Sequence, residues 1–232
     1  MGRRQYGIID GLQLYAAPLQ REVRRVSLSS RFLTAAIAVV AALAGLALAS
    51  VWLKPGTVEI QSGTLLQQRR ALPEFALQGD NGQPLTKAAL QGHWTLVFPG
   101  YTSCPDVCPT TLALLKALDA KLRAEGATPP QMLFLSVDPG RDTPQRLAQY
   151  VHYFNPAFTA ATAQEPQLAD FTRALGIAYT RVPSSSAGGY TMDHTAALVL
   201  IDPQARLTAF FTPPHKIEVM ASDLQRLMGA AS

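Results

Sequence analysis

The chain has 232 residues, 48% of them hydrophobic and 16% charged, which is enough apolar material to bury a substantial core. Its formal charge of +4 arises wholly in residues 1–31, where six Arg outnumber Asp10 and Glu22, while residues 32–232 balance fourteen basic against fourteen acidic side chains. That balance excludes a basic nucleic-acid surface in the body of the chain.

Residues 1–20 show no sustained periodicity. Phe32 to Leu53 carries no charged residue over 22 positions, which at about 1.5 Å per residue gives roughly 33 Å of helix, enough to cross a bilayer core. Ala47-Leu48-Ala49 resembles a small-x-small cleavage site, but the apolar run exceeds a signal-peptide core, so an uncleaved anchor is expected. Arg21, Arg24, Arg25 and Arg31 precede the span and only Lys54 follows at once, which places the N-terminus in the cytoplasm. The expected organisation is a cytoplasmic tail (1–31), a transmembrane anchor (32–53), a linker (54–70) and an outer domain (71–232). No cysteine lies near the span, which excludes a lipid-modified cysteine anchor.

In the outer domain, Glu74 to Leu77 and Gln83 to Leu85 flank Gly79-Asp80-Asn81-Gly82 and predict a hairpin. Thr95 to Phe98 reads as a short buried strand. Leu112, Leu115, Leu118 and Leu122 line one face of a helix over Thr110 to Leu122. Gln131 to Val137 reads as a strand covered on both faces. Thr143 and Pro144 open a helix that carries Leu147, Tyr150, Val151 and Phe154, and a shorter helix through Leu168, Phe171 and Leu175 stops at Gly176. Ser184 to Gly189 is expected to be a flexible loop delivering Tyr190 to His194. Two strands, Ala196 to Ile201 and Leu207 to Phe211, precede a last helix with Ile217, Met220, Leu224 and Leu227 on one face. This order predicts an α/β chain with a mixed sheet flanked by helices.

Both cysteines lie in Gly100-Tyr101-Thr102-Ser103-Cys104-Pro105-Asp106-Val107-Cys108-Pro109, where a strand gives way to a helix. Pro109 biases Cys108 away from helical dihedrals, which predicts it at the helix mouth rather than inside the helix. Amides at such a mouth stabilise a thiolate, the form that both binds soft metal and attacks disulfides. Three chemistries stay open at this level: a structural disulfide, thiol-disulfide exchange, and a Cu(I) site needing a third donor. Of the four histidines, His93, His152 and His215 sit in ordinary polar or helical settings. His194 differs, because it ends a Gly-rich loop immediately before a buried strand. Phe98 and Tyr101 read as core.

The cysteine loop, together with Ser136-Val137-Asp138-Pro139, Arg141-Asp142-Thr143-Pro144 and Tyr190-Thr191-Met192-Asp193-His194, resembles the Sco/SenC family, in the same order from about Leu72 to Met228. The resemblance implies a thioredoxin-like fold tethered by one N-terminal transmembrane helix. It implies copper as the bound metal, held by Cys104, Cys108 and His194, and delivery to the binuclear copper centre of cytochrome c oxidase. The implied partners are the copper-receiving oxidase subunit, an upstream copper donor and the inner membrane, with the domain in the periplasm. It also implies a thiol-disulfide reductase activity of the Cys104–Cys108 pair as the alternative role. Thioredoxin-type enzymes usually place a cis-proline opposite their cysteines, where this chain has Asp193-His194. Asp193 is a candidate to orient the imidazole. The sequence departs from the family at Pro99, which predicts a bend where the strand enters the loop, at Ser103, where a histidine is common, and at Gly140.

Overall fold

The computed structural model describes residues 28–52, 59–184 and 189–229. The chain divides into two compact units, residues 1–56 and 57–232. The first contains helix α1 (Leu28–Trp52), whose apolar stretch Phe32–Ala49 is long enough to cross a membrane. Its side chains Phe32, Ile37, Val40 and Leu46 are all exposed.

In the second unit, ten strands are present among the described residues. Eight form one mixed sheet: β1 (Gly63–Ala71), β2 (Ala76–Gly79), β3 (Pro84–Thr86), β4 (Thr95–Gly100), β5 (Gln131–Ser136), β6 (Thr159–Thr162), β9 (Leu198–Ile201) and β10 (Arg206–Phe211). Their spatial order is β1-β10-β9-β4-β5-β6-β2-β3. β4, β5 and β6 run parallel, and β9 returns antiparallel beside β4. The start of β9 therefore lies at the sheet edge where β4 and β5 end. β7 (Tyr179–Pro183) and β8 (Tyr190–His194) make a separate antiparallel pair.

Alternation along the strands explains why their sequences read as unbroken apolar runs. Leu96 and Phe98 of β4, Met132 and Phe134 of β5, and Leu198 and Leu200 of β9 enter one core. That core is covered by α2 (Val107–Ala124), α3 (Pro144–Phe154) and α5 (Ile217–Gly229). Val97, Leu133, Leu135, Val199 and Ile201 enter the other, against α4 (Gln167–Leu175) and a 3-10 turn at Lys87–Leu90. A strand clad on both faces has no polar position to spare.

The hairpin β2–β3 forms where turn chemistry predicts it, with Gly82 at φ +79° and Asn81 Oδ1 accepting from Gln83 N at 2.9 Å. Thr143 caps α3 by accepting from Arg146 N at 3.3 Å, and Gly176 ends α4 in the left-handed region at φ 71°. Three readings differ, and strands β6 and β7 were not read from the sequence. Residues 63–70 are not linker: they belong to β1, which pairs with β10 in the sheet. β6, Thr-Ala-Ala-Thr, is too short and too small-sided to show a pattern. Tyr190–His194 is a strand rather than the end of a loop. Pro99 does not bend β4, which stays in register with β5 through Pro99↔Leu135 and Gly100↔Ser136. The ladder to β9 has ended by then, at Val97↔Val199, so the missing N–H breaks no bond on that side. Within the expected Ser184–Gly189 loop, residues 185–188 lie outside the described residues, as do residues 1–27.

Gly100 closes β4 directly beneath the cysteine helix. A Cβ there would lie 2.6 Å from a Phe134 ring carbon and 3.1 Å from Cys108 Sγ. Gly100→Ala is expected to cost about 1–3 kcal/mol by overpacking, read as a melting temperature lower by about 2–4 °C per kcal/mol for a domain of this size.

Candidate metal and redox site

β4 hands the chain to a short loop at the sheet edge, and α2 begins at Val107. Cys108 is therefore inside the first helical turn, not merely at its mouth. Pro109 is tolerated because first-turn N–H groups have no intrahelical acceptor. One of those spare donors serves the other cysteine: Cys108 N–H points to Cys104 Sγ at 3.4 Å. Both cysteines are free thiols, Cys104 half-buried and Cys108 fully buried.

Their environments push the two thiols apart. Burial raises Cys104, but the main-chain N–H groups of Cys108 and Asp106, helped by the Cys108 and Tyr101 side chains, outweigh it, and the thiol lies below its ordinary value. Burial pushes Cys108 strongly up; the Tyr101 main chain opposes this, while Cys104 and the Asp142 charge add to it.

His194 is the last residue of β8, paired with Tyr179. Its Nε2 lies 3.9 Å from Cys108 Sγ, and its Nδ1 lies 2.9 Å from the Thr195 carbonyl oxygen. A carbonyl only accepts, so Nδ1 carries a proton, and in the neutral ring the Nε2 lone pair is left facing the sulfur. The orienting group is thus the Thr195 carbonyl. Asp193 is exposed, and adjacent strand residues point to opposite faces. Tyr101, buried as expected, also meets the imidazole edge-on, with ring centroids 6.2 Å apart. Cys104, Cys108 and His194 are neighbours but not drawn tight. Among the described residues no three His, Cys, Asp or Glu side chains stand ready to hold an ion together. Of the other histidines, His152 lies 3.6 Å from Asp80, and burial holds His215 below its ordinary pKa.

The residues that frame the site lie in the β5–α3 connection, which the sequence marked as motif letters and a helix start but not as part of the site. Asp142, 1% exposed, accepts from Thr102 N at 3.0 Å, Thr102 Oγ1 at 2.5 Å and Ser136 Oγ at 2.6 Å. Arg146 donates to Thr102 Oγ1 at 2.7 Å and to Ser103 Oγ at 3.1 Å, which gives Ser103 a structural use. Asp138, also buried, takes Arg141 Nε and the Tyr190 hydroxyl. The available signal was the density of Ser, Asp and Arg directly after a buried strand, since buried carboxylates need specific donors.

The asymmetry of the thiols has a direct readout. Near neutral pH, iodoacetamide is expected to modify Cys104 at least about tenfold faster than Cys108. The Cys104 rate should rise at lower pH than for an unperturbed thiol, because a lowered pKa brings the thiolate in earlier. Peptide mass spectrometry of the reduced, folded chain reads both rates.

The SCO1/SenC family pattern matches residues 64–229, from β1 to the end of α5. The chain is 34% identical over 199 residues to the SCO2 homolog, mitochondrial, of Bos taurus, covering 82% of this chain and 74% of that protein. It superposes on ScoI of Bradyrhizobium japonicum with copper bound at 35% identity and TM-score 0.58, covering 67% of this chain and 98% of that one. Against the apo Sco1 solution structure from Thermus thermophilus the identity is 32% and the TM-score 0.64, over 74% of this chain and 99% of that one. The fold is thioredoxin-like, as the resemblance implied. With the match running from the first strand of the sheet to its last helix and taking in the cysteine loop and the His194 strand, the chain is a member of the SCO1/SenC family.

Proposed function

We propose that this chain is a membrane-anchored copper chaperone that carries Cu(I) on Cys104, Cys108 and His194 and passes it to the binuclear copper centre of cytochrome c oxidase. The observation that carries the reading is the His194 Nε2 lone pair turned toward a free Cys108 thiol 3.9 Å away. Taking metal–sulfur and metal–imidazole lengths of about 2.3 and 2.0 Å, donors at that separation subtend about 130° at a shared ion, close to a trigonal angle. Cys104 is the third donor. Its partial exposure leaves the cargo reachable from outside, while Cys108 and Tyr101 close the inner side. A sulfur-rich set with one imidazole suits a soft monovalent ion better than a hard cation.

Redox state gates the cargo in this reading. Oxidation of the two thiols to a disulfide forms one S–S bond, releases two electrons and two protons, and removes both sulfur donors at once. In the proposed topology α1 holds the protein in the inner membrane, and the arginines that precede the span keep the N-terminus in the cytoplasm. The domain then works in the periplasm, facing the recipient subunit and an upstream copper donor.

A second reading, a thiol-disulfide reductase of a partner protein, is favoured by the thiol asymmetry itself. An accessible thiol of lowered pKa beside a buried one of raised pKa is the arrangement of an attacking and a resolving cysteine. Copper analysis separates the two. The full chain in detergent is expected to hold about one copper per chain when reduced and none when oxidised. His194→Ala is expected to weaken Cu(I) affinity by at least about tenfold. Undiminished affinity without His194 contradicts the proposed ligand set, and absence of copper from the reduced chain, with turnover on a protein disulfide, favours the reductase.

A further inference from the structure

The strand that carries His194 belongs to a two-stranded sheet of its own, outside the eight-stranded sheet. No main-chain ladder therefore ties β8 to the frame that holds the cysteines; beyond the three residues that lead from His194 into β9, side chains set its aim. Tyr190, Met192 and His194 alternate onto one face of β8. Met192 is buried in the core shared with α2, and His194 faces Cys108. Tyr190 meets the β5–α3 connection. Its hydroxyl donates to Asp138 Oδ1 at 2.8 Å, and its carbonyl accepts from Arg141 Nη1 at 3.0 Å. The guanidinium carbons of Arg141 and Arg181 lie 3.8 and 4.1 Å from its ring centroid. Arg141 is itself steered by Asp138, which accepts from its Nε.

The same turn holds the other half of the site. Arg141 N and Asp142 N both donate to the Asp138 carbonyl, at 3.1 and 3.0 Å, which closes a tight turn. Its last residue, Asp142, binds Thr102 two positions before Cys104. Adjacent residues of one turn thus grip the histidine hairpin and the cysteine loop.

We propose that Arg141 is a positioning residue: acting through Tyr190, it fixes the aim of the β7–β8 hairpin and so the distance from the His194 imidazole to the cysteine sulfurs. A cation stacked on an aromatic ring and bonded to that residue's carbonyl constrains both the position and the rotation of the strand. The consequence for metal affinity rests on the copper reading of the site; the consequence for the hairpin does not.

The test uses the full chain as wild type, Arg141→Met, Tyr190→Leu and Tyr190→Phe. Hydrogen exchange is followed at the amides of Thr191 and Asp193, which alternate into the β7–β8 ladder, in the reduced, metal-free protein, with Val97 and Leu133 of the central strands as reference. Cu(I) affinity is measured separately by competition with a chromophoric chelator. Arg141→Met and Tyr190→Leu are expected to speed exchange at Thr191 and Asp193 with the reference amides unchanged, and to weaken Cu(I) binding about tenfold. Tyr190→Phe keeps the stacked ring and the carbonyl, and should stay nearer wild type than Tyr190→Leu in both readouts. Unchanged exchange and affinity in Arg141→Met, or exchange rising equally in the central strands, overturns the proposal. Should wild type itself take up no Cu(I), the copper reading fails, while the exchange pattern still decides whether Arg141 anchors the hairpin.

Discussion

A buried carboxylate sets the terms for the whole site edge. Asp142 sits at the end of the β5 turn with almost no exposure, and a charge removed from water must be matched by donors or be lost by protonation. Its donors are Thr102 N, Thr102 Oγ1 and Ser136 Oγ. Two of the three belong to the loop that delivers Cys104. Satisfying the charge therefore fixes the loop, the loop fixes where α2 starts, and the start of α2 places Cys108 N–H against Cys104 Sγ. The lowered thiol of Cys104 draws on this chain of constraints, while the raised thiol of Cys108 comes chiefly from its burial in the core.

Much of this architecture was legible in the residues. Helices with one apolar face, such as α2 and α5, and strands buried on both sides, such as β4 and β5, declare themselves because burial leaves a period or an unbroken run. Capping by Thr143 and termination at Gly176 are local chemistry and were equally plain. What failed were elements whose identity depends on a distant partner. β1 is rich in Gln and Arg and half-exposed, and only its pairing with β10 makes it a strand. β6 has too few atoms in its side chains to signal burial. β8 does carry the alternation of a half-buried strand, with Thr191 and Asp193 outward, but over only five residues and directly behind a Gly-rich segment.

The site shows the same division. Cys104 and Cys108 are conspicuous as the only cysteines, and the position of His194 before a buried strand singled it out. The sequence did not reveal that a main-chain carbonyl, from Thr195, would fix the imidazole tautomer. Nor did it show that Tyr101, a core residue by any pattern, would meet the imidazole edge. Arg141, Asp138 and Tyr190 were visible as motif letters. Their meaning as a joint between two parts of the site exists only in three dimensions, where residues 138 and 190 touch.

The proposed chemistry asks one thing of this frame: that two sulfurs of different exposure and one neutral imidazole nitrogen meet at a single ion. X-ray absorption of the copper-loaded, reduced chain measures that arrangement most directly. The account predicts Cu(I) surrounded by two sulfur atoms and one imidazole nitrogen, with the nitrogen signature lost in His194→Ala. A spectrum showing sulfur alone in the wild-type chain, or an imidazole contribution that survives His194→Ala, would contradict it.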